Sequence, residues 1–399
     1  MGEEDDVFKR VEVASPAHDT FHQMHTFSGS YKSKTLSTSS SIDSIRSEDF
    51  RRKRLSMPMM YQMYESQYDD LRGTICGPES PDFFPVQASE TLRKALSGID
   101  TNDQVIIDTI LSHSNFQRQK ILNAYEDMYE RNLLDDLEEE TGGFFLEMAL
   151  ALFKPAHKLD TQLLYKSISN RYGDRSIAVE IACTRSTKQL KVIRESYLAD
   201  YRKTLEKDLS VKVEGIFGKM LSLLLCKPRD EHGKRIDEDL VAKHATLLAR
   251  NTVEELAKNL QTFEEIFVQH TWRHIAAVLD AADEMITKER EKDLETLIRK
   301  NKNIHSEIRQ MFLTILRVAR NEQLYFAEKV RSALSGDRPD HGTVIRIVVT
   351  RSEIDLADIV EEYKRKYHRP LDIDTSQTCS GDYLRLLTAL ITGNASYHR

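Results

Sequence analysis

The chain has 399 residues, 40% of them hydrophobic and 30% charged, with a formal net charge of −7. That length allows one large domain or two ordinary ones, and the acidic balance supplies no global basic field for nucleic acid. No apolar run reaches the roughly 20 residues of a bilayer span. The four cysteines, Cys76, Cys183, Cys226 and Cys379, lie far apart and form no CxxC pair. With no signal peptide, that usage suits reduced thiols in a cytoplasmic protein. Gly2 is in place for myristoylation, but Asp6 stands where that signal wants Ser or Thr. The sequon at Asn394-Ala395-Ser396 is expected to stay idle.

Residues 1–82 differ from the rest. Ten serines fall between Ser28 and Ser56, and hydrophobic periodicity is absent. Such a composition cannot bury enough apolar surface to offset chain entropy, so a disordered regulatory tail is expected. Arg51, Arg52, Lys53 and Arg54 precede Ser56. That run suits a basophilic kinase and equally a solvated charge cluster; phosphorylation of Ser56 would cancel part of its charge. The Met- and Tyr-rich stretch "MPMMYQMYESQYDDL" suits a short helix docked on the chain's own core or on a partner.

From residue 85 the pattern is helical almost throughout. Leu92, Leu96 and Ile99 recur at helical spacing, then Ile106, Ile107, Ile110 and Leu111, then Ile121, Leu122, Tyr125, Met128 and Tyr129. "NLLDDLEEE" and "GGFFLEMALALF" complete five short helices. Strand signals are nearly absent. "VIRIVV" at 344–349 would pass for a strand alone, but its context predicts a buried helix segment.

Similar punctuation recurs along the chain. "SHSNFQR" (112–118), "TRSTKQL" (184–190), "QHTWRHI" (269–275) and "TRSEIDL" (350–356) each precede a helical stretch. Ser114 with Gln117, Ser186 with Gln189 and Ser352 with Asp355 have the spacing of capping boxes; Thr271 with His274 is a degenerate copy. The punctuation therefore predicts the start of the third helix in each of four repeats, 83–154, 155–227, 236–318 and 322–396. Modules with apolar faces on several sides need neighbours, so the repeats are expected to stack around a shared core.

This arrangement resembles the annexin family: four units of five helices after a variable tail. The fourth unit, "ALSGDRPDHGTVIRIVVTRSEIDLADI" with "SGDYLRLLTAL", carries the resemblance best, and the first is nearly as good. The second and third are more divergent. The resemblance implies an all-α curved disc whose convex face holds Ca2+ against acidic phospholipid. It also implies calcium ligands: carbonyls from a loop of the form M-K-G-x-G-T, and a bidentate carboxylate 42 residues after its first glycine. Calcium takes six to eight oxygens, and the loop glycines serve backbone at positive φ.

In the first repeat that loop is Leu96-Ser97-Gly98-Ile99-Asp100-Thr101, and the carboxylate position is Glu140. Leu96, Gly98 and Asp100 are the implied carbonyl donors. Asp tolerates left-handed backbone better than most residues. Glu140 also belongs to an acidic run with Glu138 and Glu139, so a plain surface role stays open. In the second repeat the loop reads Ile168-Ser169-Asn170-Arg171-Tyr172-Gly173 and the carboxylate position is Lys212, whose charge repels calcium. The third repeat keeps no glycine in "LARNTVEELAKNL", and its acid position falls near Asn303. The fourth keeps Gly336, but Arg338 and Pro339 follow, and Thr378 stands at the acid position.

The same substitutions suggest a second chemistry. Arg171, Lys212, Arg299, Lys300, Lys302 and Arg338 would lie on the calcium face and meet anionic headgroups directly, at about 1 kcal/mol each. Ordinary solvated side chains explain them as well. Arg185 and Arg351 are expected to pair with carboxylates; the resemblance offers Asp160. Trp272 is either packed or dips into a membrane interface.

No enzymatic constellation stands out. The 13 histidines form no HExxH or Cys/His ligand cluster. "GIFGK" at 215–219 has the wrong spacing for a phosphate loop, and the stretch from Asp100 fails as an EF-hand because Leu111 takes position twelve. The expectation is a peripheral membrane protein that binds acidic phospholipid with calcium mainly through the first repeat. The rival is a largely calcium-independent scaffold that recruits protein partners through its tail.

Overall fold

The computed structural model describes residues 72–97, 101–169, 173–231 and 235–394. Ser56, Gly98, Asp100 and Arg171 lie outside the described residues. Among the described residues the regular structure is helical throughout, with no strand. The first repeat comprises α1 (Pro85–Leu96), α2 (Asp103–Leu111), α3 (Asn115–Tyr129), α4 (Leu133–Glu140) and α5 (Gly143–Phe153). The second comprises α6 (Ala156–Ser169), α7 (Arg175–Thr184), α8 (Thr187–Tyr201), α9 (Leu205–Lys212) and α10 (Gly215–Cys226). The third has α11 (Glu238–Arg250), α12 (Val253–Lys258), α13 (Leu260–Phe267), α14 (Trp272–Arg290), α15 (Leu294–Lys300) and α16 (Ser306–Arg320). The fourth has α17 (Glu322–Leu334), α18 (His341–Arg351), α19 (Leu356–Tyr367), α20 (Leu371–Thr378) and α21 (Gly381–Thr392). "VIRIVV" lies inside α18, where all six side chains are buried.

The third repeat departs from the five-helix plan. Its second helix is broken at Asn259, which closes α12 and caps α13 by accepting from the Thr262 N–H. Asn and other short polar side chains offer the backbone such local alternatives.

Local signals explain the helix ends. Ser114 and Ser186 form the two expected capping boxes with Gln117 and Gln189, and Thr271 accepts from the His274 N–H. Ser352 does not cap. It closes α18, and the next helix starts after Asp355. The physical reason is a competing partner: the Arg351 guanidinium holds both Asp355 oxygens at 2.6 Å, so that carboxylate cannot reach back to the backbone. The third helix of every repeat ends on a non-glycine residue at positive φ: Glu130, Arg202, Glu291 and His368, at 51°, 57°, 55° and 52°. This αL cap turns the chain into the fourth helix.

Adjacent repeats share one apolar core. Helices α5 and α2 pack on α18 and α21, joining the first repeat to the fourth, while α7 and α10 pack on α16 and α13, joining the second to the third. Buried ion pairs sit among them. Arg185 holds Asp160 at 2.7 and 2.8 Å, as the resemblance suggested. Arg346 of the fourth repeat pairs with Glu180 of the second, and Arg118 of the first reaches Glu353 of the fourth at 2.8 Å. Such pairs contribute little net energy against desolvation, but removing one partner costs about 3–5 kcal/mol, so they fix which repeat faces which.

The packed chain starts earlier than the expected tail boundary at residue 82. Arg72 donates to Asp358 at 2.8 Å, and the Thr74 N–H donates to the Ser352 carbonyl at 2.7 Å. Gly73 permits this approach, since a Cβ there would meet the Ser352 carbonyl oxygen at 2.6 Å. Short polar contacts and the one buried Ile75, with no periodic apolar pattern, dock this segment. Among the described residues no helix is long and apolar enough to cross a membrane.

Candidate calcium and membrane site

The fourth helix of each repeat sets the register of the site. In α4, Leu133, Asp136 and Leu137 face inward; in α9, Leu205, Asp208 and Leu209; in α20, Leu371, Asp374 and Thr375. The buried aspartate accepts a hydrogen bond from a tyrosine on the preceding helix: Tyr125 to Asp136 at 2.5 Å, Tyr197 to Asp208 at 2.7 Å, Tyr363 to Asp374 at 2.5 Å. Basic groups complete the cluster. Arg93 and Arg131 pair with Asp136, Lys212 with Asp208, and Arg331 and Arg369 with Asp374.

Burial alone would raise the Asp136 carboxyl, but donors from Arg131 and Tyr125 hold it below the usual carboxylate range. Lys212 and Tyr197 do the same for Asp208. Burial, with the bond to its aspartate, pushes the Tyr125 and Tyr363 hydroxyls up to about 12. These clusters are structural anchors, and they were missed in the sequence. The signal was present: each Tyr precedes its Asp by the same eleven residues.

In the third repeat Leu294 and Ile298 take the places of Leu133 and Leu137. That register puts Leu297 at the aspartate position and buried Ile286 at the tyrosine position. An apolar pair has replaced a polar one. The same register puts Asn301, not Asn303, at the acid position. The broken helix α12–α13 and the shorter α15 remove the even spacing on which the count to Asn303 relied.

The residue three positions beyond the buried pair distinguishes the repeats. In the first it is Glu140, the last residue of α4, solvent-exposed and with no ion pair among the described residues. In the same repeat α1 ends at Leu96, and a base bond from the Asn102 N–H to the Ala95 carbonyl at 3.0 Å ties the start of α2 back to it. Gly143, at φ +58°, starts α5 immediately beyond.

In the second repeat Lys212 turns inward. Its ammonium donates to Asp208 at 2.7 Å and Ser169 at 3.1 Å, and lies 4.6 Å from the Tyr165 ring centroid. A cation thus stands at the position equivalent to Glu140 and is tied to the buried anchor. In the third repeat Thr252 begins α12 with a capping box to Glu255 directly after Asn251, so the loop has shrunk to a helix start. In the fourth, the base bond is kept, Asp340 N–H to Ala333 carbonyl at 2.8 Å, and Gly336 sits at φ +94°. Arg338 is exposed there, and Thr378 donates to the Thr375 carbonyl at 3.4 Å.

The basic residues separate by environment. Lys212 is engaged as described, and Arg299 pairs with Glu295. Lys300, Lys302 and Arg338 are exposed and have no ion pair among the described residues. Trp272 is packed: it lies against the core, with the Arg229 guanidinium 4.1 Å from the ring centroid.

The all-helical repeats, with a Tyr–Asp anchor recurring in the first, second and fourth, define a class of stacked helical modules. A profile of the annexin family matches residues 87–152, 159–224 and 325–390. The chain is 34% identical to mouse annexin A3 over 316 residues, which is 79% of this chain and 95% of that protein. It is 32% identical to human annexin A11 over 323 residues, 81% of this chain but 62% of that longer protein. The solved structure of annexin III superposes with a TM-score of 0.72 at 30% identity, covering 83% of this chain and 99% of that one. The chain belongs to the annexin family. The third repeat, where the Tyr–Asp pair is apolar, lies outside the matched residues.

Proposed function

We propose that this protein is a peripheral phospholipid-binding annexin whose calcium requirement is concentrated in the first repeat. The observation that carries this reading is the unpaired, exposed Glu140, whose counterparts are Lys212, Asn301 and Thr378. Of the four positions only Glu140 offers a carboxylate, and calcium takes hard oxygen ligands. The Leu96, Gly98 and Asp100 carbonyls with the Glu140 carboxylate would hold the ion. When bound, calcium would bridge the protein to an anionic headgroup. A single site with few charged ligands suits affinities of roughly 10⁻⁴ to 10⁻³ M.

A second contribution rests on Lys300, Lys302 and Arg338, exposed cations that would attract acidic lipid without an ion between. At about 1 kcal/mol each this attraction is modest and salt-sensitive. A tail switched at Ser56 would modulate it by charge cancellation.

Sedimentation with phosphatidylserine vesicles tests both. Wild type is expected to sediment in calcium and to keep a smaller, salt-sensitive fraction in chelator. Glu140→Gln is expected to lose the calcium increment while keeping the chelator-resistant fraction. Undiminished calcium sensitivity in that variant would rule out the assigned carboxylate.

A further inference from the structure

Repeat 3 has lost the features of a calcium repeat, but it holds a cluster found in no other part of the described chain. His244 on α11, His270 in the turn after α13 and His274 in the first turn of α14 each aim one ring nitrogen inward. These atoms lie within 4.8 Å of one another. His244 and His274 are buried and His270 is half-buried. From this geometry we propose that His244, His270 and His274 form a zinc site, with His270 at its solvent side and water in the fourth position.

Three observations support it. First, the spacing fits. With Zn–N bonds of about 2.0–2.1 Å, nitrogens on a tetrahedron lie roughly 3.3 Å apart. His244 Nδ1 and His274 Nε2 are 3.2 Å apart. His270, on the turn, has to close by at most about 1.5 Å to complete the set.

Second, the back of the site is built. The other nitrogen of His244, Nε2, lies 3.3 Å from a Glu265 carboxylate oxygen. A carboxylate behind a ligating imidazole fixes its tautomer and leaves the inner nitrogen free for metal. Glu265 is itself held by Lys243 at 2.9 Å.

Third, the nearby cations are directed elsewhere. Lys243 faces Glu265, and Arg229 spends its N–H groups on the His270 and Phe267 carbonyls at 2.8 and 2.9 Å.

Three nitrogen ligands favour zinc and its transition-metal neighbours over calcium or magnesium. The site is therefore chemically separate from the Glu140 site, and neither depends on the other. The rival explanation is a hydrogen bond between the His244 and His274 rings with no metal.

The test uses the full chain, stripped with chelator, dialysed and titrated with zinc in the presence of excess calcium to occupy oxygen sites. One zinc per chain is expected. His270→Ala is expected to weaken it more than tenfold, and Glu265→Gln about 10–100-fold, as for an outer-sphere partner. Cobalt in place of zinc is expected to give the intense visible bands of a four-coordinate nitrogen site. Absence of stoichiometric zinc, a change below tenfold in folded His270→Ala, or a pale six-coordinate cobalt spectrum would each overturn the assignment. Should His270→Ala lose its helical circular dichroism, Glu265→Gln decides by the same tenfold threshold.

Discussion

The first and second repeats have the same skeleton and opposite chemistry at one position. Both start their third helix with a Ser–Gln capping box, end it on a left-handed residue, and anchor the next helix with a buried aspartate bonded to tyrosine. At the end of that helix one offers Glu140 to solvent, and the other folds Lys212 back onto Asp208. The skeleton is set by buried, mutually satisfied groups. The chemistry at the helix end is set by one side chain, which reaches solvent as Glu140 in the first repeat and joins the buried anchor as Lys212 in the second. The third repeat shows the converse: the anchor itself has changed, to Ile286 and Leu297, and the connection between its first two helices has shrunk to a capped helix start.

The comparison is broken most forcefully at the shared anchor. Asp136→Ala and Asp208→Ala should each lower unfolding free energy by about 2–4 kcal/mol, because a buried tyrosine hydroxyl and a basic group lose their acceptor together. Matching shifts in urea midpoint would confirm that the two repeats use one anchor. The double variant Tyr125→Ile with Asp136→Leu copies the third repeat and should cost less than Asp136→Ala alone, since no orphaned hydroxyl remains. A larger cost would show that the apolar solution works only in its own surroundings.

Acid sharpens the same comparison. The folded Asp136 and Asp208 carboxyls titrate below the usual range, mainly because hydrogen bonds from Arg131 and Tyr125, or Lys212 and Tyr197, outweigh burial. Their stabilisation is therefore complete above the unfolded value of about 3.9 and is lost as pH falls through the folded values. Urea midpoints should fall more steeply below about pH 4 in wild type than in Asp136→Asn, which has no proton to take up there. Parallel acid limbs would assign the acid sensitivity to other groups.

Much of this organisation is legible in the sequence because it rests on local, repeated rules. Apolar spacing places the helices, and Ser114 and Ser186 mark helix starts because a hydroxyl three residues before Gln caps regardless of its surroundings. What escapes is decided by partners far away in the chain or by a change of register. Ser352 has cap spacing but loses its partner to Arg351. Asn303 was two residues out because the third repeat breaks its second helix at Asn259. The histidine cluster joins α11 to the start of α14, across a helix pair. Its hint was His270 and His274 four apart, which in isolation is a common surface spacing. Glu140 was singled out by the family spacing of 42 residues from Gly98, and the buried Leu–Asp–Leu triplet beside it, shared with the second repeat, played no part in that reading.

The smallest expected effect separates two serines that look alike in sequence. Ser186 Oγ accepts from the Gln189 N–H at 3.2 Å, and Gln189 Oε1 accepts from the Ser186 N–H at 2.9 Å. Ser186→Ala therefore orphans a helix-start donor and should cost about 1 kcal/mol. Ser352 Oγ instead donates to the Val349 carbonyl at 2.9 Å, at the end of α18. That carbonyl also accepts from the Ser352 backbone N–H at 3.4 Å, so Ser352→Ala leaves it a donor. Its cost should fall nearer the low end of a single hydrogen bond, about 0.5 kcal/mol. Urea unfolding of the two variants side by side measures the gap. Equal losses would mean that Ser352 caps α19 in solution, and that Arg351 does not hold Asp355 tightly enough to prevent it.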